Sequence, residues 1–238
     1  MSFGSVMRNK KTWFIGIPIL LIVVFVGGPF VYIHFIQGDP PAKLKLSTVT
    51  TDPKSDPSST AATSDSIDGA WKVASGSAAQ YRVPEVLFGQ STTAVGKTTA
   101  ITGDMTISGT TVPTATFTAD LTKVTSDQAN RDRQFQGRIM DTASFPTATF
   151  KLTSPIELGS VPANGKQVTE KATGDLTLRG KTQSVTFDIV AQRDGSTIET
   201  NGTIPVKFDD YGIPAPSFGP AQVGDNGELV FLVSFTQS

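Results

Sequence analysis

The chain of 238 residues carries 20 Lys and Arg against 21 Asp and Glu, a formal net charge of −1. It therefore lacks the basic excess that binding to a polyanion such as nucleic acid requires. With no cysteine and a single histidine, His34, it has no disulfide framework, no thiolate metal site and no cysteine nucleophile, so the fold must rest on its hydrophobic core.

Residues 1–11 form a short basic tail with Arg8, Lys10 and Lys11, expected on the cytoplasmic side. From Thr12 to Ile36 there is no Asp, Glu, Lys or Arg. As a helix, 12–36 would be about 37 Å long, enough to cross a hydrocarbon core of about 30 Å with some tilt. Trp13 and Tyr32 stand where amphipathic rings favour the interface, and Pro29 predicts a kink. The competing reading is a cleaved signal peptide. Its apolar core is usually about 7–15 residues, shorter than this run, and no small-x-small site follows at Gln37–Pro41. The expectation is a single-pass plasma-membrane anchor with the N-terminus inside and the rest of the chain outside the cytoplasm.

Residues 37–66 are rich in Ser, Thr, Pro and Asp and read as a disordered linker, about 30 Å end to end as a flexible coil. The Ser/Thr tract could carry O-glycans or be plain solvated linker. Asn201-Gly202-Thr203 matches the N-glycosylation pattern or simply marks a bend.

From 67 to 238 short runs alternate between apolar and polar residues, punctuated by Gly, Pro, Asp and Asn, as in antiparallel strands with one buried face. Ala115, Phe117, Ala119 and Leu121 share a face in one run, and Ala148, Phe150 and Leu152 in the next. Leu176 and Leu178 follow, then Val185, Phe187, Ile189 and Ala191, and finally Leu229, Phe231, Val233 and Phe235. Weaker strands near Ala79–Phe88, Thr99–Ser108 and Ser196–Phe208 bring the count to about eight. Ser126–Phe135 does not alternate; with Ser126 as a capping residue it reads as a short helix or helical turn. The fold class is all-β: an eight-stranded antiparallel lipocalin-like barrel with one short helix, preceded by a single transmembrane helix.

This domain holds 10 Phe against 2 Tyr and 1 Trp, so its interior can stay apolar throughout. A barrel of this size is either packed with side chains or holds one slender ligand, and pattern alone leaves both open. Catalysis is not expected. No histidine lies in the domain to serve as base of a Ser-His-Asp triad or as metal ligand, and no glycine-rich phosphate loop precedes a helix. Asp209, Asp210, Asp225 and Glu228 cluster in sequence but read as solvated surface. Arg131 and Asp132 either orient a polar headgroup or form an ion pair that fixes the helix or its loop.

The segment RDRQFQGRIMDTASFPTATF, Arg131 to Phe150, closely resembles the hallmark stretch of the YceI-like family: Arg131-Asp132, then Asp141, Phe145-Pro146 and Thr147-Ala148-Thr149-Phe150. Val95-Gly96 with Ile101-Thr102-Gly103 resembles the family's early hairpin. Gly174-Asp175-Leu176-Thr177-Leu178-Arg179-Gly180-Lys181-Thr182 resembles its later strand and turn. The resemblance spans about Trp71 to Phe235. It implies a lipocalin-like barrel enclosing a polyisoprenoid, such as a quinone tail or polyprenyl chain, and hence an apolar tunnel. The anchor, the linker and the stretch Pro214–Pro220 depart from the pattern and leave the ligand's identity open.

The expected function is thus that of a membrane-tethered binding protein that carries or sequesters an isoprenoid lipid, with no cofactor apart from such a lipid. Its candidate lining residues, taken from alternation, are Phe117, Leu121, Phe150, Leu176, Leu178, Phe187, Ile189, Phe231, Val233 and Phe235. The rival is a filled barrel serving as an envelope interaction or adhesion module.

Overall fold

The computed structural model describes residues 39–47, 66–87, 89–214 and 221–238. The segment read as a membrane helix, 12–36, lies outside them; among the described residues no helix is long and apolar enough to cross a membrane. Alternation predicts strands, and the described residues form one antiparallel sheet of 13. In chain order these are β1 (Gly69–Val73), β2 (Ala78–Leu87), β3 (Gln90–Thr98), β4 (Ile101–Ser108), β5 (Thr111–Asp120), β6 (Thr125–Ser126) and β7 (Thr147–Ser154). The series continues with β8 (Ile156–Glu157), β9 (Gln167–Leu178), β10 (Lys181–Asp194), β11 (Thr197–Lys207), β12 (Ala221–Val223) and β13 (Asn226–Gln237).

Eight of them close a ring, in the order β1-β4-β5-β7-β9-β10-β11-β13 and back to β1. Seven of these correspond to strands expected from alternation. The eighth is β1, too short to show a period, whereas the strand expected near 79–88 lies outside the ring. The reason is the edge of β13. β1 pairs with its C-terminal part (Trp71↔Gln237) and β2 with its N-terminal part (Phe231↔Ala79), so two strands share one edge in succession.

The barrel is therefore closed differently along its length. At the far end, main-chain pairing of β1 with both β4 and β13 makes the seam, and the buried side chains of Ile67, Trp71, Ile107, Val112 and Ile156 form a floor. At the other end the wall continues as a flap of β2, β3 and β6, followed by the helix α1 (Ala129–Gln134), which runs on as a wider turn over Phe135–Ile139. Phe135 stacks on Tyr81 of β2 with ring centroids 5.0 Å apart, fastening this lid to the flap. The lid end also holds the β9–β10 turn at Arg179-Gly180 and a 3-10 turn at Phe208–Tyr211.

The helix begins three residues after the capping residue expected at Ser126. Ser126 belongs to β6 instead, where both its amide (2.8 Å) and its hydroxyl (2.6 Å) donate to Asp132 Oδ1. Pairing of β6 with β3 competes for Ser126 and wins. Gln128 then stands at the N-cap without a side-chain cap bond.

Residues 39–47, read as the start of a disordered linker, lie along the outside of the barrel. Arg82 donates to the Pro41 carbonyl, Gln80 to that of Ala42 (3.3 Å) and Asn201 to that of Leu44 (3.0 Å). Lys43 pairs with Glu228 at 2.6 Å, and Ser47 donates from its amide and its hydroxyl to Glu199. Beneath this strap Val230, which points outward by alternation, is only 1% exposed. Leu44 and Leu46 are half-buried, whereas Lys43, Lys45 and Ser47 are exposed, so the strap has its own inward face.

Candidate functional site

Inward-pointing residues of the ring strands enclose a cavity of about 640 Å³, within the range of about 300–1,000 Å³ typical of small-molecule sites. All ten residues proposed from alternation line it: Phe117, Leu121, Phe150, Leu176, Leu178, Phe187, Ile189, Phe231, Val233 and Phe235. Five of these are phenylalanines forming a continuous belt. Phe235 meets Phe117 (5.6 Å between centroids), Phe117 meets Phe150 (6.3 Å), Phe150 meets Phe187 (5.4 Å) and Phe187 meets Phe231 (5.7 Å).

So much aromatic volume would ordinarily fill a barrel of this girth. It does not, because several rings lie down on wall positions that lack a side chain. Phe231 is directly opposite Gly202, where a Cβ would come within 2.5 Å of the ring. Phe150 covers Gly174 in the same way, also at 2.5 Å. Tyr81 lies over Gly96, its cross-strand partner, and Phe117 is opposite Gly103. Phe187 faces Ala172, the smallest side chain. Packing density is satisfied at the wall, and the lumen stays open.

Polar groups on the lining are mostly satisfied without occupying the lumen. Thr200 Oγ1 donates to the Val233 carbonyl at 3.4 Å, and Thr98 Oγ1 accepts from the Ala100 amide at 3.1 Å. Charged side chains line the lumen at both ends: Glu170 and Arg193 toward the far end, Glu85 and Arg131 at the lid end. There Glu85, on the same inward face of β2 as Tyr81 and Val83, is 8% exposed and receives Arg131 Nη2 at 3.2 Å. Arg131 also donates to Asp127, one turn back along the chain. Gln128, Asn130 and Gln134 complete a polar rim. Arg131 and Asp132 thus do not pair with each other: Arg131 ties α1 to β2, and Asp132 ties it to β6.

Burial pushes the Glu85 carboxyl above the usual carboxylate range, and the Arg131 guanidinium beside it opposes that shift without cancelling it. Burial likewise raises the Tyr81 phenol, which stays a neutral hydroxyl at the cavity wall. Because Glu85 holds its proton more tightly folded than unfolded, the stability it contributes is complete at low pH and is lost as pH rises through its folded pKa. Replacing it removes that loss. Thermal midpoints of Glu85→Gln and the parent should coincide at about pH 4 and separate in favour of the variant toward neutrality. Parallel curves across that range would show that Glu85 titrates normally.

Alternation missed Glu85 and the rim because β2 reads weakly: Pro84 and Arg82 blur it. Strand parity starting at Tyr81 is the signal that finds it. Among the described residues no group of three or more His, Cys, Asp or Glu is placed to hold a metal ion.

The pattern of the YceI-like domain matches residues 56–235. The chain belongs to the YceI-like family. Solved structures agree in fold. This YceI-like barrel superposes with a TM-score of 0.58 at 14% identity on a structure from Saccharophagus degradans described as a polyisoprenoid binding domain implicated in plant cell wall breakdown. That match covers 71% of this chain and 98% of the other. BcnA of Burkholderia cenocepacia gives 0.51 at 19% identity, covering 66% and 95%. The YceI protein of Campylobacter jejuni gives 0.50 at 15% identity, covering 60% and 84%. No curated protein matches the chain. The YceI-like match begins beyond Ser47, so the strap lies outside it.

Proposed function

We propose that this YceI-like protein binds a polyisoprenoid or similar long apolar lipid inside its barrel, while an N-terminal helix over residues 12–36 holds it at the outer face of the plasma membrane. The observation that carries the lipid reading is the open Phe-belted cavity, whose rings rest on glycines rather than filling the lumen. Binding is driven by removing the ligand's hydrocarbon from water, worth about 25 cal/mol per Å². The rim of Glu85, Arg131, Gln128 and Asn130 offers both donors and acceptors to a polar headgroup. The structural neighbour described as polyisoprenoid binding supports the same class of ligand. The anchor reading rests on the uncharged run 12–36 after Arg8, Lys10 and Lys11.

Carriage or sequestration, rather than catalysis, suits a lumen that is mostly apolar, in which Thr200 is held by the wall and the Glu85–Arg131 pair sits at the mouth. Protein extracted from its own membrane and examined by native mass spectrometry should carry a lipid that organic solvent removes. A population with no adduct, and no uptake of added isoprenoid, would favour the filled-barrel interaction module.

A further inference from the structure

The strap sets where a tether at residue 36 would hold the barrel. Its first described residue, Asp39, is three steps from Ile36, a reach of about 10 Å at most. From there the strap is fixed to the wall in sequence: Pro41 at Arg82, Ala42 at Gln80, Lys43 at Glu228, Leu44 at Asn201 and Ser47 at Glu199. Glu228 marks its height on the barrel. It lies two residues from Asn226, where β13 starts at the lid end, and nine from Gln237 at the far end. Along a strand those separations are about 7 Å and about 30 Å. Arg82 is likewise only three residues, about 10 Å, from Glu85 at the rim. The N-terminal end of the strap is therefore pinned in the lid half, and from there the strap descends toward the far end.

We infer that the strap orients the barrel with its lid end and polar rim toward the lipid bilayer and its floor away from it. This inference rests on the tethering reading above. The 30-residue coil expected from composition would let the barrel tumble. Docking of 39–47 places the first described residue, Asp39, three positions after residue 36. The ligand's source is then the leaflet beneath the rim, and the strap-holding side chains Arg82, Glu199 and Asn201, which do not line the cavity, position the domain.

The absence of cysteine makes the test direct. Gly137→Cys, in the exposed turn after α1, labels the lid end, and Val161→Cys, 44% exposed in the loop between β8 and β9, labels the far end. The full-length protein, reconstituted in phosphatidylcholine vesicles, is floated to test tethering. Fluorophores on each cysteine are then quenched by lipids spin-labelled at the headgroup. Quenching should be several-fold stronger at position 137 than at 161, and the difference should vanish in Glu199→Ala/Asn201→Ala, which loosens the strap. Equal quenching at both sites in protein that floats overturns the orientation alone. Protein that does not float overturns the orientation and the tether together. A difference that survives loosening of the strap overturns the strap as its cause.

Discussion

Gly202→Val should empty the barrel while leaving it folded. A Cβ at position 202 would sit 2.5 Å from Phe231 Cζ and 2.8 Å from its Cε1, so the ring must swing off the wall into the lumen. The backbone at 202 is not left-handed, and the nearest main-chain atom, the Asp188 carbonyl oxygen, is 3.3 Å away, so the strain falls on the ring. Overpacking of this kind costs about 1–3 kcal/mol. The effect on binding should be larger in kind, because the displaced ring takes up lumen beside Phe187 that the proposed lipid would fill. Lipid recovered per mole of purified protein should fall about tenfold or more, corresponding to about 1.4 kcal/mol or greater. The double variant Gly202→Val/Phe231→Ala, which trades the ring for the new methyls, should recover most of it. A folded Gly202→Val protein with undiminished lipid would mean that the rings do not set the lumen.

Trp71→Ala should produce the greatest loss of stability. Trp71 is 2% exposed on β1, the short strand whose pairing with β4 and β13 makes the seam. Its indole Nε1 donates to the Ile67 carbonyl at 2.9 Å, which fixes the chain at the floor. Truncating a buried Trp costs about 3–5 kcal/mol. For a domain of this size that lowers the thermal midpoint by roughly 10 °C, read by far-ultraviolet circular dichroism. Trp71→Phe keeps most of the apolar burial and loses only the hydrogen bond, so its midpoint should fall by a fraction of that. Equal losses from both substitutions would assign the seam's strength to the single bond rather than to packing.

How these two residues escaped or declared themselves in the sequence says what a sequence can convey. Alternation in β5, β7, β9, β10 and β13 is a property of one strand at a time, so the inward Phe and Leu residues were legible before any pairing was known. Whether they filled the lumen was not, because that depends on register. Gly202 matters only because it faces Phe231, and Gly96 only because it faces Tyr81. Trp71 lies on a strand of five residues, too few to show a period. The strap was hidden differently. Its composition is polar, and it is held largely by barrel side chains bonding to its carbonyls, a pattern that leaves only the Leu44–Leu46 spacing as a trace. The family resemblance carried the cavity expectation that pattern alone left open, and it ended short of the strap.

The shared edge of β13 separates two properties that a uniform barrel would couple. At the floor the seam is a main-chain ladder of β1 with both β4 and β13, whereas the flap at the lid end finishes in two β3–β6 pairs and the contacts of one short helix. Lifting α1 and the turn after it breaks these pairs, the helix's contacts and the Phe135–Tyr81 stack, fewer main-chain bonds than parting the seam, so local opening there should be the more frequent. For the lipid carrier proposed above, residence time should follow Ser126, Asp132, Phe135 and their partners, and survival of the protein the seam at Trp71. Substitutions at the lid should then change release more than thermal endurance, and substitutions at the seam the reverse.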